Sequence, residues 1–311
     1  MSKKIAIRDA FGDALLKVGK NNSNIVALEA DVGNSTKSAV FGKEFPNRYY
    51  NVGISELNMV TMAAGMAREG LIPFVNTFSV FLAGRGGDPI QSLIAYDNLN
   101  VKLCGTYTGM SDSYDGASHH AITDMAYVRA IPNMTVITPS DAIQTEKAVI
   151  AAAEFNGPVY LRLSRAAVPV IYDENINFEI GKGIVVKEGI DVTLISTGTI
   201  LSKVIAAAEK LQTQGISAAV IDIHTVKPID KELIIEFAKK TRAIVTVEEH
   251  SLQGGLFSAV SEVLVSEYPV PVKAIGATQF AESGDYEALL EKYGYGSNSI
   301  VAAVKEVISK K

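Results

Sequence analysis

The sequence predicts an α/β protein of two domains, each a mostly parallel sheet with helices on both faces. Short apolar runs rich in β-branched residues alternate with segments of helical periodicity, the pattern left by strands buried on both sides. The length, 311 residues, suffices for two domains of ordinary size. The alternation loosens once, between about residues 166 and 189, where Val168-Pro169, Asp173-Glu174-Asn175 and the glycines Gly181, Gly183 and Gly189 break it. The expected domains are residues 1–167 and 189–311, joined by a linker over 168–188.

Each element follows from its own run. In the first domain Ile25–Glu29, Ile72–Asn76, Val101–Thr106, Thr135–Thr138 and Val159–Leu163 are predicted strands. Ser55–Arg68, Asp88–Asp97 and Asp141–Glu154 are predicted helices, the last with Ser140-Asp141 as its N-terminal cap. The second domain continues the alternation: strand Val192–Ser196, helix Leu201–Gln212, strand Ala218–Ile223, helix Lys231–Lys239, strand Ile244–Glu248, helix Leu256–Val265.

Composition narrows the function. Hydrophobic residues make up 48% and charged residues 20%, which suits a well-buried globular chain. A formal net charge of -5 with scattered basic residues disfavours nucleic acid. The single cysteine, Cys104, excludes an internal disulfide and fits a reducing cytoplasm. The first residues lack an apolar signal core, and no run approaches the ~20 apolar residues that span a bilayer. A cytoplasmic protein with no membrane partner is expected.

Several side chains could carry chemistry. Glu56 opens a segment that is apolar almost all round (Leu57, Met59, Val60, Met62, Ala63, Ala64, Met66), so its carboxyl enters a buried helix and needs a partner. It either caps that helix or serves a ligand. Phe78 and Phe81, expected in a loop after a strand, could be core or could hold a flat heteroaromatic ring between them. Arg85 and Asp88, around Gly86-Gly87, could form a local ion pair. Asp115 and His119 flank a Gly-Ala-Ser turn inside the polar loop Thr108–His120, where ligand-contacting groups tend to lie. Adjacent histidines rarely ligate one ion together, so no metal site is expected in this chain. Arg8, Arg165 and the helix start at Ser35 could each bind an anion or form ordinary surface contacts. Glu248-Glu249-His250 with Gly254-Gly255 has no companion nucleophile and reads as structural or interface-forming. Gly198 lacks the G-x-G-x-x-G spacing of a dinucleotide site.

Taken in order, these motifs resemble the transketolase family over nearly the whole chain. GISELNM resembles the segment with the cofactor-activating glutamate, which implies Glu56. NTFSVF resembles the aromatic segment around the aminopyrimidine, which implies Phe78 and Phe81, with Arg85 beside them. DGASHH resembles D-G-x-x-H-Q, which implies that Asp115 and His119 face the sugar hydroxyls and reacting carbons. LSR implies Arg165 at the sugar phosphate, and Arg8 and Ser35 match weaker positions near it. Two departures stand out. Ser113-Tyr114 replace an acidic G-E pair, and Tyr107 replaces the family's phosphate-facing histidine. They imply a different terminal anion or a less usual sugar.

The G-D-G motif followed by Asn, which places a divalent metal and a diphosphate, is absent from this sequence. The resemblance therefore implies the C-terminal subunit of a split transketolase, transferring a two-carbon ketol unit from a ketose, phosphorylated or otherwise anionic, to an aldose. It implies thiamine diphosphate as cofactor, Mg2+ held by a partner, and an N-terminal subunit as that partner, two of each chain. The beta subunit of a 2-oxoacid dehydrogenase and a non-catalytic assembly subunit stay open as alternatives. A fragment of 1-deoxyxylulose-phosphate synthase is disfavoured, because that enzyme is normally one longer chain.

Overall fold

A computed structural model of the chain describes residues 3–311. Its strands are β1 (Lys4–Ala6), β2 (Ile25–Glu29), β3 (Tyr49–Asn51), β4 (Ile72–Phe78), β5 (Lys102–Thr106), β6 (Thr135–Ile137), β7 (Val159–Leu163) and β8 (Ala167–Pro169), followed by β9 (Ile184–Lys187), β10 (Val192–Ser196), β11 (Ala218–Asp222), β12 (Thr225–Lys227), β13 (Ile244–Ser251) and β14 (Val272–Ala277). The first main sheet has seven strands in the order β12-β6-β7-β5-β4-β2-β3, and the second has five in the order β14-β13-β10-β11-β9. Both are parallel except at one edge, where β12 runs antiparallel to β6 and β9 antiparallel to β11.

The central strands are apolar on both faces because both faces are covered. In β2, Ile25 and Ala27 face a cluster with Phe11 and Leu15 of helix Ile7–Asn21 and Ala148 and Val149 of helix Ala142–Glu154. Val26 and Leu28 face the opposite cluster, with Met59, Val60 and Ala63 of helix Glu56–Arg68. The second sheet repeats the arrangement. Leu194 and Val220 pack under helices Leu201–Thr213 and Ser297–Ile308, and Ile195 and Ile221 under helices Lys231–Thr241 and Leu256–Glu267. A period of two along each strand thus feeds two cores.

One local expectation is corrected and another refined. Phe78 ends β4, and Phe81 lies in helix Ser79–Arg85 rather than in a loop. The expected helix Asp88–Asp97 is present over Gly87–Ala95, as a short α turn, Gly87–Pro89, that runs into a π-helix over Ile90–Ala95. Widening to i→i+5 bonds turns Ile90 and Ala95, five apart, to the same buried side. The segment between the domains is tied down at both ends. β8 pairs with β1, β9 joins the second sheet, and the Asp141 carboxylate accepts the amides of Ile171 (2.7 Å) and Tyr172 (2.8 Å). The same carboxylate accepts Gln144 N at 2.8 Å and so caps its helix.

The domains share buried polar contacts. Arg162 of β7 pairs with Asp124 at 3.0 Å and donates to the carbonyl of Glu249 at 3.0 Å. The Glu249 carboxylate accepts Met110 N and the Tyr286 hydroxyl, each at 2.6 Å. Burial pushes the Glu248 and Glu249 carboxyls up to about 7 and the His250 imidazole down to about 4. The Glu248-Glu249-His250 segment meets the first domain at Met110, Ala126 and Arg162.

Candidate active site

In a parallel sheet, the loops that leave the carboxyl ends of neighbouring strands converge. Here β7, β5, β4 and β2 are consecutive neighbours. Arg165 follows β7, the loop with Asp115 and His119 follows β5, Phe78 ends β4, and Ser35 follows β2. Arg8 comes from helix Ile7–Asn21 and Glu56 from the first turn of helix Glu56–Arg68.

Contacts join all nine predicted residues into one line. Glu56, with 4% of its side chain exposed, takes a 3.4 Å contact from Arg85 Nη1. The Arg85 guanidinium lies over the Phe81 ring at 4.3 Å. Arg85 therefore turns to Glu56, and the local pair with Asp88 does not form. Phe81 meets the His119 ring edge-on at 5.2 Å. Phe78 stacks on Phe81 at 5.9 Å and on Tyr107 at 4.2 Å. The Tyr107 hydroxyl hydrogen-bonds Arg8, which also donates to the Ser35 carbonyl at 3.2 Å. Arg165 lies over the other part of the line, 5.4 Å from the Tyr107 ring centre. It pairs with Asp112 at 3.4 Å, and Asp112, Asp115 and His119 bring ligand atoms within 4.8 Å of one another.

Two expectations change in detail. A ring held between two others needs roughly 7 Å between them, two van der Waals contacts. Phe78 and Phe81 already stack on each other, which leaves no space for a flat ring between them. The helix start at Ser35 is also less open than expected. Its helix, Gly33–Thr36, is one turn long, and the Glu29 carboxylate already accepts Val32 N at 2.6 Å.

Asp112 is the site residue that sequence reasoning passed over. It is fully buried, and burial, then the charge of Asp115, push its carboxyl up to about 6 against the pull of Arg165 and His119. Its Oδ2 has no hydrogen-bond partner. The available signal was an acidic residue closely following a buried strand. His120, at the position of the family's glutamine, is buried with neither ring nitrogen partnered, and burial lowers its pKa.

The loop needs its glycines. Gly109 (φ +61°) and Gly116 (φ +78°) adopt left-handed backbone. A side chain at Gly109 would run into the Glu249 carboxylate, and one at Gly116 into Ser283. The second domain therefore shapes the loop that carries Asp115 and His119. No described helix is long and apolar enough to cross a membrane.

Comparison with known proteins places these features in context. The model of the transketolase pyrimidine-binding domain matches residues 3–170, and that of the transketolase C-terminal domain matches residues 181–300. A Methanocaldococcus jannaschii chain, provisionally named a transketolase C-terminal section, is 42% identical over 98% of this chain and 96% of its own. The 6-deoxy-6-sulfo-D-fructose transketolase subunit SqwH of Clostridium sp. MSTE9 is 39% identical over 98% of this chain and 95% of its own. Rat transketolase is 41% identical over 99% of this chain but 50% of its own, so the chain spans about half of that relative. A solved structure described as split gene transketolase, inactive beta4 tetramer, is 48% identical with a TM-score of 0.92, covering 98% of this chain and 99% of the other.

Proposed function

From the premise that this chain belongs to the transketolase family, we propose that it is the C-terminal subunit of a split, thiamine-diphosphate-dependent transketolase that moves a two-carbon ketol unit from a ketose to an aldose. We take residues 1–167 and 189–311 as its working domains and 168–188 as their connection. The observation that carries the reading is the continuous line of nominated residues, with buried Glu56 at one end and Arg165 at the other.

The residues fit half of the cofactor. Glu56 is buried, and among the described residues only Arg85 hydrogen-bonds it, across a long 3.4 Å. Such a carboxylate is stabilised by a donor placed against it. A pyrimidine ring nitrogen would become that donor when it carries a proton shared with Glu56, while Phe78, Phe81 and Arg85 offer the packing surface beside it. When bound, thiamine diphosphate supplies the electron sink that lets a ketose carbon–carbon bond break and re-form. Glu56 holds the ring by its hydrogen bond and shares a proton with it. Asp115 orients the ketose hydroxyls, and His119 binds hydroxyls and moves protons. Arg8, Ser35 and Arg165 border the sugar's far end. Residues for the diphosphate and Mg2+ are assigned to an N-terminal partner subunit, in a cytoplasmic assembly with two of each chain. The solved split-gene relative is described as inactive in a tetramer of one chain type, which supports that need for a partner.

The test is to isolate the chain with the subunit that co-purifies and to assay two-carbon transfer with thiamine diphosphate and magnesium. Transfer by the complex and none by the chain alone is the expected result. Oxidative decarboxylation of pyruvate-like acids by the complex, without ketol transfer, would replace this reading with the 2-oxoacid one. A complex that binds cofactor yet catalyses neither reaction would favour the assembly role.

A further inference from the structure

Resting on the ketol-transfer reading, we infer that this subunit selects ketoses with an uncharged, hydroxylated tail, and that Asp112 is the residue that sets this choice. Arginines alone suggested an anionic tail. The structure answers each of the three expected anion contacts from within the chain.

Arg165 is paired with Asp112 at 3.4 Å, and Asp112 is fully buried. Arg8 donates to the Ser35 carbonyl and to the Tyr107 hydroxyl. The short helix at Ser35 has the Glu29 carboxylate on its leading amide. A phosphate brought to this end would meet two arginines already neutralised or engaged, with Asp112 and Asp115 beside them. Placing like charges together at a buried site is costly.

What remains free at this end suits hydroxyls. Asp112 Oδ2 is a buried acceptor without a partner, and Arg8 Nε is a buried donor without one. A sugar hydroxyl both donates and accepts, so a polyol tail satisfies both kinds of group. A dianion can only accept. Selection by a site built for hydroxyls is strong, because analogues leave its buried polar groups unpaired.

The experiment uses the assembled complex with glycolaldehyde as the uncharged acceptor throughout. The donors are D-fructose, D-fructose 6-phosphate and 6-deoxy-6-sulfo-D-fructose, which differ only at the tail. The expected kcat/KM for D-fructose exceeds that for either charged donor by at least tenfold. Asp112→Asn, which keeps the shape and frees Arg165, is expected to raise the phosphate-to-fructose ratio at least tenfold, through KM. A wild-type preference for either charged donor overturns the inference, and so does a ratio that Asp112→Asn leaves unmoved. Transfer from none of the three donors overturns the ketol-transfer reading itself.

Discussion

Replacing Glu56 with Gln tests the proposed chemistry with little change of shape. The structure bounds what the substitution does to folding. The side chain is 4% exposed, and its one ion pair is a 3.4 Å contact to a guanidinium whose side chain is 55% exposed. Such a pair contributes at most about 1 kcal/mol. A first-turn carboxylate adds about 0.5 kcal/mol through the helix dipole. Relief from burying a charge offsets part of both, so stability should change by about 1 kcal/mol or less, a shift of roughly 2–4 °C in Tm. The effect on turnover is of another order. Loss of a positioned proton-sharing group lowers rates by about 10²–10⁴, or roughly 3–5 kcal/mol in the barrier. The assay pairs kcat of the assembled complex, at saturating thiamine diphosphate and magnesium, with thermal unfolding of the same preparation. A variant that keeps more than about a tenth of wild-type turnover would refute the role given to Glu56. So would a loss of activity that unfolding fully accounts for.

Two further predictions concern folding alone. Lys102 is buried and donates to the carbonyls of Phe155 (2.7 Å) and Gly157 (2.8 Å), and burial lowers its pKa from 10.5 to about 7. The unfolded chain binds this proton more readily between those values, so stability should rise from about pH 7 toward pH 10. Denaturant unfolding across that range should show the rise, and Lys102→Met should flatten it; an unchanged slope would exclude Lys102 as its source. Arg162→Met leaves Asp124 buried without its cation and breaks the bridge to Glu249. It should cost about 3–5 kcal/mol in denaturant unfolding, and a loss under ~1 kcal/mol would mean the pair adds little.

Elements whose information is local could be read in advance. Strands β2, β4, β5 and β7 announce themselves by dense apolar runs, and Asp141 caps its helix by chemistry contained within three residues. Strands β1, β3, β8 and β12 are three residues long and none is buried throughout, whereas β6, equally short, is fully buried and reads as an apolar run. β14 is only half-buried along its length and gives no dense apolar run. The same division holds in the site. Glu56, Asp115, His119 and Arg165 sit in contiguous motifs. Asp112 takes its meaning from Arg165, 53 positions later, and Arg85 turns to Glu56, 29 positions earlier, instead of nearby Asp88. Neither choice is encoded within a window around the residue that makes it.

The strand β12 carries a consequence for where this gene can be cut. It arises after β11 of the second domain, yet it closes the edge of the first sheet by pairing with β6. A polypeptide stopped in the connector would leave β6 as a bare edge, ready to pair with any extended chain it meets. Expression of the first domain by itself should therefore yield aggregates that a co-expressed second half relieves. The seam between these two domains is therefore the wrong place to divide the polypeptide.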